Sequence, residues 1–384
     1  MSGAAVVSGV AHTAIGKLEG STAMGLHAEA ARAALDDAGL RVKDVDAVLC
    51  AYSLAAPHLM LSSVFCEYFG IRPAYSAAIQ AGGATACIMV MQAAALVEAG
   101  YARHVLVVCG DNRLSGLSRD GTVAALAEVG HPQFERPYGI SVPAAYALVA
   151  QRYMYEFGVT LEQLAEVAVA HRRHAQRHPA AQMRTPITVA DVMASKPIAT
   201  PLRLLDCCLI SDGGAAVVVS TAEARGELRK RPIHILGAGQ KNTHEHIVAA
   251  PSLVEFGCRE AAEQALGRAG VGLADIDVAE IYDSFTITLI VELESIGFFP
   301  RGAAGPAIAG GALDLDGQLP CNTHGGLLSF GHSGAAGGLF HVIEAVRQLR
   351  GEAEGRQVRD PQLAFVHGDG GILSVHCSLV LGRG

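Results

Sequence analysis

The stretch Asn322-Thr-His-Gly-Gly-Leu-Leu-Ser-Phe-Gly-His-Ser-Gly-Ala-Ala-Gly-Gly338 places six glycines and two histidines ahead of an apolar helical run, Leu339 to Leu349. Glycines at a helix entrance let backbone amides face a ligand, and the helix dipole there favours negative charge. A tight packing loop explains the glycines equally well. His332 tilts the balance toward a polar site, because Gly331 and Gly334 leave its imidazole little local cover.

Outward from that loop, the 384 residues suffice for two ordinary domains. With 51% hydrophobic and 17% charged residues, 44 glycines and a mean hydropathy of +0.31, the chain reads as a compact α/β protein. No apolar run reaches the roughly 18–20 residues of a membrane span. The start, Met1-Ser-Gly-Ala-Ala-Val-Val, has no basic leader, so a cytoplasmic protein is expected. A formal charge of −8 argues against a nucleic-acid surface.

The nine cysteines show no paired metal-ligand spacing and read as buried thiols in a reducing compartment. His171, His174 and His178 fall on one helix stripe, but the outer two would stand roughly 10 Å apart along the axis. With arginines interspersed, the stripe reads as a solvated helix face, and no metal site is expected.

Periodicity predicts strands at Val6–Val10, Val45–Cys50, Tyr75–Ile79 and His104–Gly110, with helices at Thr22–Ala38, Leu59–Phe69 and Ala84–Glu98 between them. The segment from Asp111 to Leu209 breaks the alternation with helices at Val142–Phe157 and Leu161–His178, and reads as an insertion. A strand over Ser211–Ser220 resumes the sheet. A second set follows: strands at Ile233–Ala238, Val278–Tyr282, Leu363–His367 and Leu373–Leu381, and helices at Leu253–Ala269, Phe285–Ile296 and Leu339–Leu349. The division is 1–230, with the insertion at 111–209, and 231–384, two βαβαβαββ halves of similar plan.

Four stretches resemble the thiolase superfamily, and more closely sterol-carrier-protein-type thiolases and their lipid-transfer-like bacterial relatives. They are Ala190–Lys196 with Leu205-Asp-Cys-Cys-Leu-Ile-Ser-Asp-Gly-Gly-Ala-Ala216; Tyr282-Asp-Ser-Phe-Thr-Ile-Thr288; the loop Asn322–Gly338, with Ser333 where the family has proline; and Gly368-Asp-Gly-Gly-Ile372. The resemblance implies stacked five-stranded mixed sheets with buried central helices in αβαβα layers, a homodimer, and a substrate bound as a CoA thioester, with no covalently held cofactor.

A thiolase needs a thiolate at the start of the first central helix, where the dipole lowers its pKa. That position falls on Gly83. Cys87, one turn further in, is the substitute nucleophile if the register shifts, and otherwise core. The family's second cysteine falls near Val366 or His367, which makes His367 a candidate acid/base or a structural imidazole closing the turn. Tyr282 replaces the histidine or asparagine of the third motif; it can move a proton if His332 or His367 lowers its pKa, and otherwise packs at a strand end. His332 keeps the family's position in the oxyanion hole. Asp283 is a proton-relay candidate or the cap of the helix near Phe285. Gly83, Gly331, Ser333, Gly334 and Gly370 are expected to cradle the thioester.

This set favours retro-aldol cleavage of a β-hydroxyacyl-CoA through a stabilised enolate; the family resemblance also implies a separate small zinc-ribbon/OB-fold subunit. The alternatives are Claisen acyl transfer from Cys87 and a non-catalytic acyl-CoA or lipid scaffold.

Overall fold

The computed structural model describes residues 5–384; Met1 to Ala4, part of the segment behind the expectation about export, lie outside it. The first half runs β1 (Ala5–His12), α1 (Ala23–Ala38), β2 (Ala47–Ala51), α2 (Leu61–Phe69), β3 (Tyr75–Ile79), α3 (Thr85–Glu98) and β4 (His104–Asn112). Helix α1 shows why the alternation was readable. The Thr22 hydroxyl accepts from the Gly25 amide, Gly39 turns left-handed after the last turn, and Leu26, Ala30, Ala34 and Leu35 form the buried face.

The insertion carries α4 (Arg119–Ala127), α5 (Val142–Phe157), α6 (Leu161–Ala175), α7 (Val189–Ala194) and a small hairpin of β5 (Pro197–Ala199) and β6 (Leu202–Arg203), before β7 (Asp212–Thr221) returns to the sheet. The second half comprises β8 (Ile233–Asn242), α8 (Cys258–Ala269), β9 (Val278–Ile281), α9 (Thr286–Ile296), α10 (Ala304–Ala309), α11 (Gly326–Ser329), α12 (Ala336–Arg350), β10 (Leu363–Gly370) and β11 (Val375–Gly382).

Among the described residues the strands join as β3-β2-β4-β7-β1-β8-β11-β10-β9. The halves meet edge to edge at Val6↔His234 and Val7↔Ile233. Five strands belong to the first half and four to the second, where five were expected. The missing place holds a single bridge, Ala279↔Cys321. Pro320 has no N–H to extend that ladder; its carbonyl only accepts from the Ala279 amide, 2.9 Å away.

Helices α3 and α12 pack in one apolar core with strands of both halves, including Val7, Val107, Val217, Val366 and Leu379. Their crossing is close. A Cβ on Gly338 would come 2.7 Å from the Gly83 carbonyl oxygen and 2.8 Å from Ala86 Cβ. Both helix N-termini therefore converge at one level between the halves.

The histidine stripe of α6 is not solvated. His171, Arg172, His174 and His178 are all buried, because α6 lies beneath the second half rather than on the surface. His171 Nδ1 stands 3.1 Å from the Asp283 carboxylate, His174 Nε2 bonds the Leu313 carbonyl, and Arg172 donates to Ser329 Oγ.

Candidate active site

At the entrance to α3, Gly82 has φ +56, and a Cβ there would press on the backbone of Gly370 and Gly371. A Cβ on Gly83 would overlap Cζ and Oη of Tyr282 and the carbonyl oxygen of Asp369. The phenol thus stands where a side chain at residue 83 would be. Tyr282 leaves the end of β9 with its amide bonded to the His367 carbonyl, and its hydroxyl lies 2.9 Å from His332 Nε2.

His332 is held from several sides. Its amide donates to Ser211 Oγ at 2.9 Å, and a Cβ on Gly337 would come 2.7 Å from its Cδ2, so glycine at 337 makes room for the ring. Cys208 Sγ lies 3.1 Å from Nδ1. Burial, and then the charge of Arg113, lower His332 to about 3, so the imidazole rests neutral and can accept a proton hydrogen-bonded from Tyr282. Burial moves the Tyr282 phenol well above its ordinary range, the reverse of the lowering expected from His332 or His367. The desolvation cost of a phenolate outweighs any help from a neutral imidazole. The Cys208 thiol is likewise pushed up to about 12 by burial.

The other expected residues divide. His367 shares the strand with this site, yet its ring turns to Ser378 Oγ (2.8 Å) and His376 Nδ1 (3.1 Å), with Glu292 3.7 Å away. It does not line the cavity and cannot tune Tyr282 through its side chain. Cys87 is wholly buried in the core between the halves, raised to about 12 by burial, and also stands away from the cavity wall. Asp283 caps a helix, but not the one that follows it. Its carboxylate accepts the Leu327 and Leu328 amides of α11 at 2.8 and 3.2 Å, and so ties the glycine loop to the end of β9.

Of the expected cradle, Gly83 and Gly334 line the cavity. Gly331, Ser333 and Gly370 do not. A Cβ on Gly331 would strike Ile15, one on Gly370 would strike the Ala81 carbonyl, and Ser333 Oγ is buried facing Gly213. These three serve close packing around the site.

The cavity itself measures about 340 Å³. Tyr282, His332, Gly83, Cys208, Arg113 and Asp369 converge on it, and the insertion supplies apolar walls such as Val142, Ile198 and Leu204. Three of its polar residues escaped the sequence reading. Cys208 and Asp369 lie inside quoted motifs, at positions that periodicity cannot orient; Arg113 belongs to no motif. Asp369 Oδ2 accepts from the Tyr146 hydroxyl at 2.7 Å, while Oδ1 is buried without a partner. Burial raises Asp369 and its neighbour Glu292 well above the carboxylate range, so both hold their protons more tightly than exposed carboxyls do.

Two buried groups, Glu280 with His324 and His341, and Glu292 with His367 and His376, have potential ligand atoms within 4.8 Å of one another. Neither lines the cavity. Glu280 already accepts from the amide and hydroxyl of Thr323, and His376 Nε2 bonds the Leu373 carbonyl.

A mixed α/β fold with one large sheet and two glycine-opened helices meeting at a His–Tyr pair defines a thiolase-type enzyme. The chain matches the family models "Thiolase, N-terminal domain" over residues 5–223 and "Thiolase C-terminal domain-like" over 239–383; it belongs to the thiolase family. It is 36% identical to the steroid side-chain-cleaving aldolase of Thermomonospora curvata, with 91% of each chain covered. It is 33% identical to the acetyl-CoA acetyltransferase of Methanothermobacter thermautotrophicus, covering 96% of this chain and 98% of that one. Among solved structures, an Ltp2-ChsH2(DUF35) aldolase superposes with a TM-score of 0.88 at 34% identity, covering 99% and 98% of the two chains. Similarity thus runs to both lyases and acyltransferases within one family.

Proposed function

We propose that this protein cleaves the Cα–Cβ bond of a β-hydroxyacyl-CoA by a retro-aldol reaction without an acyl-enzyme. One observation carries the proposal: the Tyr282 phenol fills the place of a side chain at residue 83 and bonds His332. An acid/base pair stands where Claisen chemistry needs a thiolate. Tyr282 takes the proton of the β-hydroxyl as its own proton passes to His332 Nε2. The Cα–Cβ electron pair becomes the enolate, and a ketone or aldehyde leaves. The new imidazolium and the N-termini of α3 and α12 face the enolate oxygen. Asp369, on the same wall and raised by burial, gives its carboxyl proton to Cα, which yields the shortened acyl-CoA.

The resemblance to an acetyl-CoA acetyltransferase keeps a second reading alive, Claisen transfer from Cys87. That reading needs the thiol to leave a core in which it is fully buried. A scaffold that binds acyl-CoA without turnover is the third. The experiment is turnover of a β-hydroxyacyl-CoA panel by the protein, with and without a co-expressed DUF35-type subunit, before and after iodoacetamide treatment. Cleavage to a carbonyl compound and a shorter acyl-CoA, unaffected by alkylation and lost in Tyr282→Phe, is the expected result. Acyl transfer abolished by alkylation gives the second reading; binding without turnover under every condition gives the third.

Two partners belong to this reading. A small zinc-ribbon/OB-fold subunit is supported by the aldolase structure whose name includes a DUF35 component. A homodimer is supported by the edge strand β3 and its surroundings, where Leu59, Met60, Tyr68 and Tyr75 are exposed. Among the described residues no helix is long and apolar enough to cross a membrane.

A further inference from the structure

Arg113 follows β4 into the cavity wall and is 5% exposed. Among the described residues no carboxylate pairs with its guanidinium, and its Nε is buried without a hydrogen-bond partner. The nearest acid along the chain is already committed: Asp111 accepts from Ser53 Oγ at 2.8 Å and from the amides of Leu54 and Ala55 at 2.8 and 3.1 Å. A buried cation without a counter-charge is unfavourable by itself, so a protein that keeps one in a cavity implies an anion that arrives there.

The place of that anion follows from what Arg113 acts on. Its charge is felt by His332, Tyr282, Cys208 and Tyr52 alike, four side chains that line the same cavity. A Cβ on Gly334, at the entrance to α12, would lie 3.5 Å from Arg113 Cδ, so the side chain passes the mouth of that helix on its way to the reacting groups. The helix dipole and the guanidinium point positive charge at one volume.

We propose that Arg113 is a catalytic residue whose guanidinium holds the thioester oxygen as it becomes an enolate. This rests on the enolate-forming reading above, but not on which bond breaks to form the enolate. A preorganised cation in a water-poor site acts mainly on the charge that develops in the transition state. It therefore affects turnover more than substrate affinity, and arginine's fixed fork does this better than the hydrated point charge of lysine.

The test uses propionyl-CoA in D₂O with the full-length protein, reading deuterium incorporation at Cα by mass spectrometry for wild type, Arg113→Met and Arg113→Lys. Wild type should exchange. Arg113→Met should lower the exchange kcat by about 100-fold with KM changed less than about threefold, and Arg113→Lys should recover roughly a tenth of the wild-type rate. The ligand-free Arg113→Met protein should melt no lower than wild type, because an uncompensated buried charge has been removed. Absence of exchange in wild type, retained kcat in Arg113→Met, a rise in KM alone, or a fall in melting temperature would each overturn the proposal; the third assigns Arg113 to a ground-state anion and the fourth to structure. If exchange depends on Arg113 but no β-hydroxyacyl-CoA is cleaved, the lyase reading fails and the Arg113 assignment stands.

Discussion

Replacing Gly83 with alanine tests the central geometric claim directly, because the added Cβ would overlap the Tyr282 phenol and the Asp369 carbonyl. Forcing a methyl group into a packed core costs about 1–3 kcal/mol. The double change Gly83→Ala/Tyr282→Ala removes the ring and leaves only the clash with the Asp369 backbone. The cost of the alanine should therefore shrink by at least about 1 kcal/mol in the Tyr282→Ala background, a coupling well outside the roughly 0.3–0.5 kcal/mol scatter of independent sites. The assay is the denaturant midpoint of the four proteins, with equal m-values as the check on comparability. Additive effects would mean that Tyr282 does not occupy the space of a side chain at 83. Residue 83 would then have room for a nucleophile, and Gly83→Cys would become a candidate to restore acyl transfer.

Stability should fall steeply as the pH drops from about 6 to about 4. His12, His174 and His376 are lowered to about 4, His332 to about 3 and His178 to about 2, chiefly by burial. Over that window the unfolded chain binds protons that the folded one refuses, each worth about 1.4 kcal/mol per pH unit. The raised Asp369 and Glu292 work in the opposite direction, since the folded state holds their protons longer. Denaturant midpoints that stay flat or rise on acidification would contradict the burial of these imidazoles. Cys87→Ala should leave turnover within about twofold and cost about 1 kcal/mol of stability through a small cavity; loss of turnover without loss of stability would revive the Claisen reading. Asp369→Asn should lower cleavage by about 10²-fold without lowering the melting temperature, and a rate equal to wild type would remove Asp369 as the proton source.

The secondary structure was legible wherever one local rule dominated. Strand Tyr75–Ile79 and helix Val142–Phe157 fall on their predicted bounds, the latter because Ser141 caps its start and Gly158 turns left-handed at its end. The sequence pattern overextends helix α8, because Leu253 to Gly257 continues its apolar pattern, whereas the helix starts only after Gly257. Short elements such as α7 and α10 are too brief to display a period.

By itself the sequence determined the α/β alternation, the two glycine-opened helices, the absence of cysteine at residue 83 and the candidacy of Tyr282 and His332, because each is a matter of residue identity or local spacing. Only the tertiary structure decided which side chains share the cavity. Residues 83, 282 and 332 come from different elements, and their convergence depends on how α3 and α12 cross between the halves. The pairing of β10 with β11 sets the His367 ring against Ser378 and His376, away from Tyr282. Packing brought Arg113, Asp369 and Cys208 to the same wall, and burial reversed the expected direction for the Tyr282 phenol. Desolvation depends on everything that surrounds a group in three dimensions, and neighbours in sequence supply only part of that surrounding.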